Sequence, residues 1–143
     1  VQFGIPDEDM ERLLSVSFFE GLDPSTAAVD IRRWMDDGEE VHFITSRKKE
    51  KTRECTIRSL DRCGLLSGCA GVHHRRSSEK WMLARELGLD SFVDDMPHVI
   101  RLMVGVVPHT YLLRIEHNQG TDDLRRWMWD EIREDLDGVR RSS

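Results

Sequence analysis

Three short groups of polar residues in this 143-residue chain are spaced for phosphate chemistry. Thr45-Ser46-Arg47 closes an apolar run, Lys80 opens an amphipathic segment, and Asp94-Asp95 follows Ser91-Phe92-Val93. Adjacent carboxylates after apolar residues repel one another and need a cation or hydrogen-bond donors. Magnesium is such a cation, preferring carboxylate oxygens and keeping several waters. Hydroxyl and backbone N–H groups at Thr45-Ser46, with the Arg47 fork, can donate to phosphoryl oxygens, and Lys80 can neutralise both the phosphate and the acids. Taken singly, each group has an ordinary explanation. A strand-ending Thr is commonly a turn residue, a helix Lys is usually solvated, and acids before Pro97 can cap a helix. Together they divide the labour that phosphoryl transfer requires.

The elements that must position these groups follow from periodicity. Pro6-Asp7 opens an acidic helical segment carrying Met10, Leu13, Leu14 and Phe18 on one face, broken at Gly21. Asp23 is placed to cap a second helix, with Pro24 at its first position and Ala28, Ile31, Trp34 and Met35 as its inner stripe, ended by Gly38. Val41 to Thr45 is a strand, 48 to 63 a charged helix with Thr52, Thr56, Leu60 and Cys63 inward, and 69 to 73 a weak strand. A helix capped by Ser77 or Ser78 runs to Gly88, Ser91 to Asp94 is a strand, and 96 to 105 is a helix. Thr110 to Ile115 is the clearest strand, and Thr121 is placed to cap a last helix bearing Leu124, Trp127, Met128, Ile132 and Leu136. Alternating strands and helices imply right-handed crossovers and a parallel sheet covered on both faces. Ligands of such sheets bind beyond the carboxyl ends of the strands, where all three polar groups fall.

Composition narrows the class. With 38% hydrophobic and 34% charged residues, the chain suits one domain, and its three cysteines cannot pair completely, which favours a reducing, cytoplasmic setting. No apolar run approaches the roughly 18 residues of a membrane span. A net charge of −6 disfavours nucleic acid as a partner and leaves room for a phosphorylated small molecule. The chain begins Val1-Gln2-Phe3 without methionine, so a trimmed, fragmentary or alternatively started product is expected.

The ordered set resembles the haloacid dehalogenase superfamily. Val41 to Thr45 with Ser46-Arg47 resembles its second motif. Lys80, fourteen residues before Asp94, and Ser91-Phe92-Val93-Asp94-Asp95 resemble its third and fourth. The phrases around Phe43 to Arg47, Thr52 and Phe92 to Pro97 are most similar to its 5′-nucleotidase and deoxyribonucleotidase branch, and the likeness covers roughly residues 18 to 115. It implies a Rossmann-like α/β sheet and a magnesium-dependent phosphomonoester hydrolase whose phosphorylated small-molecule partner is a nucleotide. Thr45 would bind the phosphoryl group, Lys80 would stabilise nucleophile and phosphate, and Asp94 and Asp95 would hold magnesium. The family's nucleophile is the first Asp of an Asp-x-Asp pair ending a central first strand, and the second Asp is the general acid/base.

Asp7-Glu8-Asp9 has that spelling, but Pro6 before it fits a helix start, so the first strand and the nucleophile are expected to be missing. Residues 1–20 are then a remnant of a helical cap, 21–118 the core, and 119–143 an amphipathic helix packed on it. Little activity is expected, and a partner strand or a second copy would complete the sheet. Two alternatives stand beside this reading: a non-catalytic phosphate- or protein-binding module, and a polynucleotide-end phosphatase domain. His73-His74-Arg75-Arg76 is read as a solvated loop, the cysteines with His73 lack zinc spacing, and Trp127 is read as a core residue of the last helix.

Overall fold

A computed structural model of the chain describes residues 2–5, 24–46 and 50–142. One sheet of six parallel strands organises them: β1 (Gln2–Ile5), β2 (His42–Thr45), β3 (Gly71–His74), β4 (Ser91–Asp94), β5 (His109–Leu113) and β6 (Arg126–Trp127), in the order β3-β2-β1-β4-β5-β6. The α-helices among the described residues are α1 (Pro24–Asp36), α2 (Glu50–Arg62), α3 (Lys80–Leu87), α4 (Pro97–Met103) and α5 (Trp129–Ser142). This is the expected Rossmann-like α/β architecture. None of these helices is long and apolar enough to cross a membrane.

Both faces of the sheet are covered, as parallel strands require, and side-chain alternation divides the core in two. Phe43, Val93, Tyr111 and Leu113 point to one side, against Ile31 and Trp34 of α1, Leu60 of α2, and Trp129, Ile132 and Leu136 of α5. Ile44, Phe92 and Leu112 point to the other, against Leu83 and Ala84 of α3 and Val99, Ile100 and Met103 of α4. Between α3 and β4 the turn is tight. Gly88 takes φ 65° and its N–H reaches the carbonyls of Ala84 and Arg85, a left-handed cap in which a side chain would be strained.

The central strand is present, against expectation. Gln2–Ile5 lies between β2 and β4, with Phe3 opposite both Phe43 and Val93 and Ile5 opposite Thr45. The sheet therefore has no central gap for a partner strand to fill, and residues 2–5 belong to the core rather than to a cap remnant. Four residues that include a glycine give no readable alternation. Their strand identity comes from neighbours distant in sequence, which pair with the backbone on both sides. Asp7, Glu8 and Asp9 lie outside the described residues, as do Met10 to Phe18 and Asp23.

The last helix is also shorter than expected. Arg126–Trp127 pairs with Leu112–Leu113 as an edge strand, and Arg114 N–H donates to the Trp127 carbonyl at 2.8 Å. Trp127 therefore packs edge-on against Tyr111, ring centres 5.0 Å apart, rather than from a helix. Helix α5 starts at Trp129 because Glu131 Oε1 accepts the Met128 N–H at 2.9 Å, the carboxylate half of a capping box.

Candidate active site at the carboxyl edge of the sheet

The chain order reverses beside β1: β2 and β3 extend to one side of it, β4 to β6 to the other. The crevice beyond strand ends at such a reversal is where open α/β sheets bind ligands. Thr45 ends β2 and Asp94 ends β4, so the two flank β1 at that edge. Lys80 is the first residue of α3.

Lys80 and Asp94 meet directly. Nζ lies 3.2 Å from Oδ2, and both side chains are shielded almost wholly from water, at 1% and 0% exposure. The other oxygen of Asp94 accepts the Met96 N–H at 2.9 Å, turning the chain into α4 at Pro97. A buried ion pair of this kind is weak as a stabilising device, because the desolvation of two charges offsets their attraction.

Asp95 is the anomaly. It is 1% exposed, and neither carboxylate oxygen receives a well-directed hydrogen bond from the described residues. His117 Nε2 lies 3.1 Å from Oδ2 and forms an ion pair with it when protonated. Burial pushes the Asp95 carboxyl up to about 7; the His117 donor opposes that push and the charge of Asp94 reinforces it. Its backbone carbonyl is held by Asn118 Nδ2 at 3.0 Å, and the same amide nitrogen donates to the Leu113 carbonyl at 2.8 Å. Asn118 Oδ1 accepts from the Ile115 N–H and from Arg126 Nε. One buried amide thus fixes the ends of β4, β5 and β6 relative to one another.

On the other flank, Thr45 is fully buried and its carbonyl accepts the Arg75 N–H at 2.9 Å. Ser46 Oγ lies 2.9 Å from Ser77 Oγ, which ties the end of β2 to the turn just before Lys80. Alternation puts Thr45 on the Phe43 side of the sheet, whereas Lys80 enters from the α3 layer. They can converge only beyond the strand ends, across the tip of β1.

Of the sequence-derived set, Lys80, Asp94 and Asp95 are therefore together, Thr45 and Ser46 share their edge, and Arg47 lies outside the described residues. His73 turns away from the site: its Nε2 is 3.0 Å from His42 Nδ1, whose own Nε2 meets Glu40 at 2.8 Å. Burial, with the charges of His42 and Arg75, lowers the pKa of His73. Cys63 and Cys69 are free thiols, their pKa values raised chiefly by burial. Sequence reasoning missed His117 and Asn118, which belong to no motif. The available signal was that both follow β5, the strand next to β4, and so emerge at the same edge.

The donor set suits a divalent cation. Two adjacent buried carboxylates, one of them short of well-directed donors and facing His117 at a single oxygen among the described residues, match the needs of an ion that takes one or two protein carboxylates and completes its shell with water and phosphate. Among the described residues no group of three or more His, Cys, Asp or Glu side chains gathers as an all-protein cage.

The chain is similar to a nucleotidase. A protein of Bacillus cereus named "Putative nucleotidase" is 23% identical to it over 135 residues, covering 91% of this chain and 71% of the relative. No protein-family model and no solved structure matches the chain.

Proposed function

We propose that the chain is a magnesium-dependent phosphomonoester hydrolase of the nucleotidase kind, acting at the crevice between the ends of β2, β1 and β4. The observation that carries this reading is the buried Lys80–Asp94 pair beside an Asp95 short of donors, at the edge where the strand order reverses. A structural ion pair needs no second buried carboxylate, short of well-directed donors, next to it. A phosphate site does, because a cation held there binds the substrate's charge. The similarity to a nucleotidase supports the same substrate class.

In this reading the Thr45 hydroxyl and the Ser46 backbone orient the phosphoryl group, with Arg47 as a further donor. Lys80 balances its charge while remaining in contact with Asp94. Asp94 and Asp95 would hold magnesium, which when bound supplies positive charge to the phosphoryl oxygens. The presence of β1 removes the basis for expecting an inactive chain, because Asp7 and Asp9 directly follow its end in sequence. We assign the attacking carboxylate to Asp7 and proton transfer to Asp9. An Asp7 oxygen bonds to phosphorus as the bond to the leaving alcohol breaks, and Asp9 protonates that alcohol. Water deprotonated by Asp9 then releases phosphate and restores Asp7.

A panel of nucleoside monophosphates and p-nitrophenyl phosphate, assayed with magnesium, tests this. Turnover that disappears in Asp7→Asn is expected. A folded protein that binds phosphate but turns nothing over would instead support a non-catalytic binding module.

A further inference from the structure

A polar cavity opens on the same edge, beyond β5 and β6. It measures about 580 Å³ and is lined by Arg114, Ile115, Glu116, Gln119, Arg126 and Met128. Residues 114 to 119 directly follow the carboxyl end of β5, so this cavity adjoins the Asp95 site on the side away from β2.

Its charge runs against that of the molecule. The chain carries −6 overall, yet two guanidinium groups face this space with one carboxylate, Glu116, among its lining residues. Neither Arg114 nor Arg126 lies within ion-pair distance of a carboxylate among the described residues, although the Arg114 charge helps lower the pKa of Glu131, whereas Arg33, Arg101, Arg125, Arg133 and Arg140 each hold a carboxylate in direct contact. Arg126 is also fixed in place. Its Nε donates to Asn118 Oδ1 at 2.9 Å and its Nη2 to the Ile115 carbonyl at 3.4 Å, leaving other N–H donors of the fork uncommitted. The anchoring amide is the one that holds the backbone of Asp95, so the guanidinium sits one asparagine side chain from the cation-binding acids.

We propose that this cavity binds a second anionic group of the substrate, and that the preferred substrate is a small molecule carrying two phosphates. One is the monoester phosphate at Lys80, Asp94 and Asp95; the other is clamped by Arg114 and Arg126. Planar forked donors in direct contact with no carboxylate among the described residues suit a phosphate's paired oxygens, and Arg126 is held in advance of binding. The location of the first phosphate rests on the function proposed above; the arginine clamp rests on its own geometry.

Calorimetry on full-length Asp7→Asn protein, which prevents turnover during the titration, compares adenosine 5′-monophosphate with adenosine 3′,5′-bisphosphate in magnesium. The bisphosphate is expected to bind about tenfold more tightly or better, a difference typical of one added charge-assisted contact. Adding Arg114→Gln, an exposed position whose change leaves the core intact, should erase that preference and leave monophosphate affinity unchanged. Arg126→Lys, which keeps the charge and loses the fork, should weaken it in part. Equal affinity for the two ligands, or a preference that survives both arginine variants, overturns the proposal. The two readings separate in Lys80→Met. Bisphosphate binding that responds to Arg114→Gln but not to Lys80→Met supports the arginine clamp and counts against the Lys80 site.

Discussion

Acids in two regions of this molecule are treated in opposite ways. In the α1–α5 layer buried Asp30, half-buried Asp137 and exposed Asp135 each hold a well-directed donor. Asp30 accepts the Trp129 indole N–H at 2.7 Å. Asp137 accepts from Arg33, Trp34 and Arg140, and Asp135 from the Tyr111 hydroxyl. Burial pushes the Asp137 carboxyl up, but the Arg33 and Trp34 donors and the surrounding positive charge outweigh it and hold the group below its ordinary value. Tyr111 is pushed up by burial and by its bond to Asp135. At the carboxyl edge, among the described residues, Asp94 has Lys80 and one amide, while Asp95 has the His117 ring 3.1 Å from one oxygen and no well-directed donor on either. Buried polar groups left short of donors cost stability, so the edge carries a cost that the helical layer avoids. Under the proposed function, the contrast separates acids that fasten the fold from acids that hold a ligand.

The largest expected effect comes from breaking the pair at the edge. Lys80→Met leaves Asp94 buried without its cation and should cost about 3–5 kcal/mol in denaturant unfolding, together with loss of phosphate binding. Adding Asp94→Asn should restore much of that stability and none of the binding. Next, Asp137→Asn should cost about 1–3 kcal/mol by stranding donors in the helical layer. Turnover per folded molecule should be unchanged, and a drop in it would blur the division between the regions.

Asp95→Asn should move stability the other way. With its folded pKa raised to about 7, the ionised carboxylate is disfavoured in the native state. The native protein then carries the full penalty above pH 7. That penalty fades as pH falls from 7 towards the ordinary carboxylate range, because the folded form takes up its proton first. The variant should therefore melt several degrees higher than the parent at pH 8 and at the same temperature near pH 4, without magnesium. Smallest of all, Arg101→Ala removes a fully exposed pair with Asp123 and should leave melting and turnover unchanged within error.

How much of this was legible depends on the kind of signal each residue carries. β2, β4 and β5 were readable because apolar runs end abruptly in polar residues; the ends of β2 and β4 delivered Thr45, Asp94 and Asp95, and the opening of α3 delivered Lys80. β1 was not readable, because Gly4 breaks the run and the Pro6-Asp7 sequence reads as a helix start; pairing with β2 and β4 defines it. β6 was absorbed into the last helix because Trp127 and Trp129 both look apolar, although Trp127 packs on Tyr111 and only Trp129 begins the helix. Asn118, His117 and Arg126 act through a loop whose path depends on β5 and β6 being neighbours, which no local pattern encodes.

Manganese binding followed by electron paramagnetic resonance, with and without inorganic phosphate, tests the division between the two regions most directly. The account predicts one divalent-cation site that phosphate tightens, that Asp95→Asn abolishes, and that Asp137→Asn leaves intact. A protein that takes up no manganese, or binds it equally well after Asp95→Asn, would contradict it.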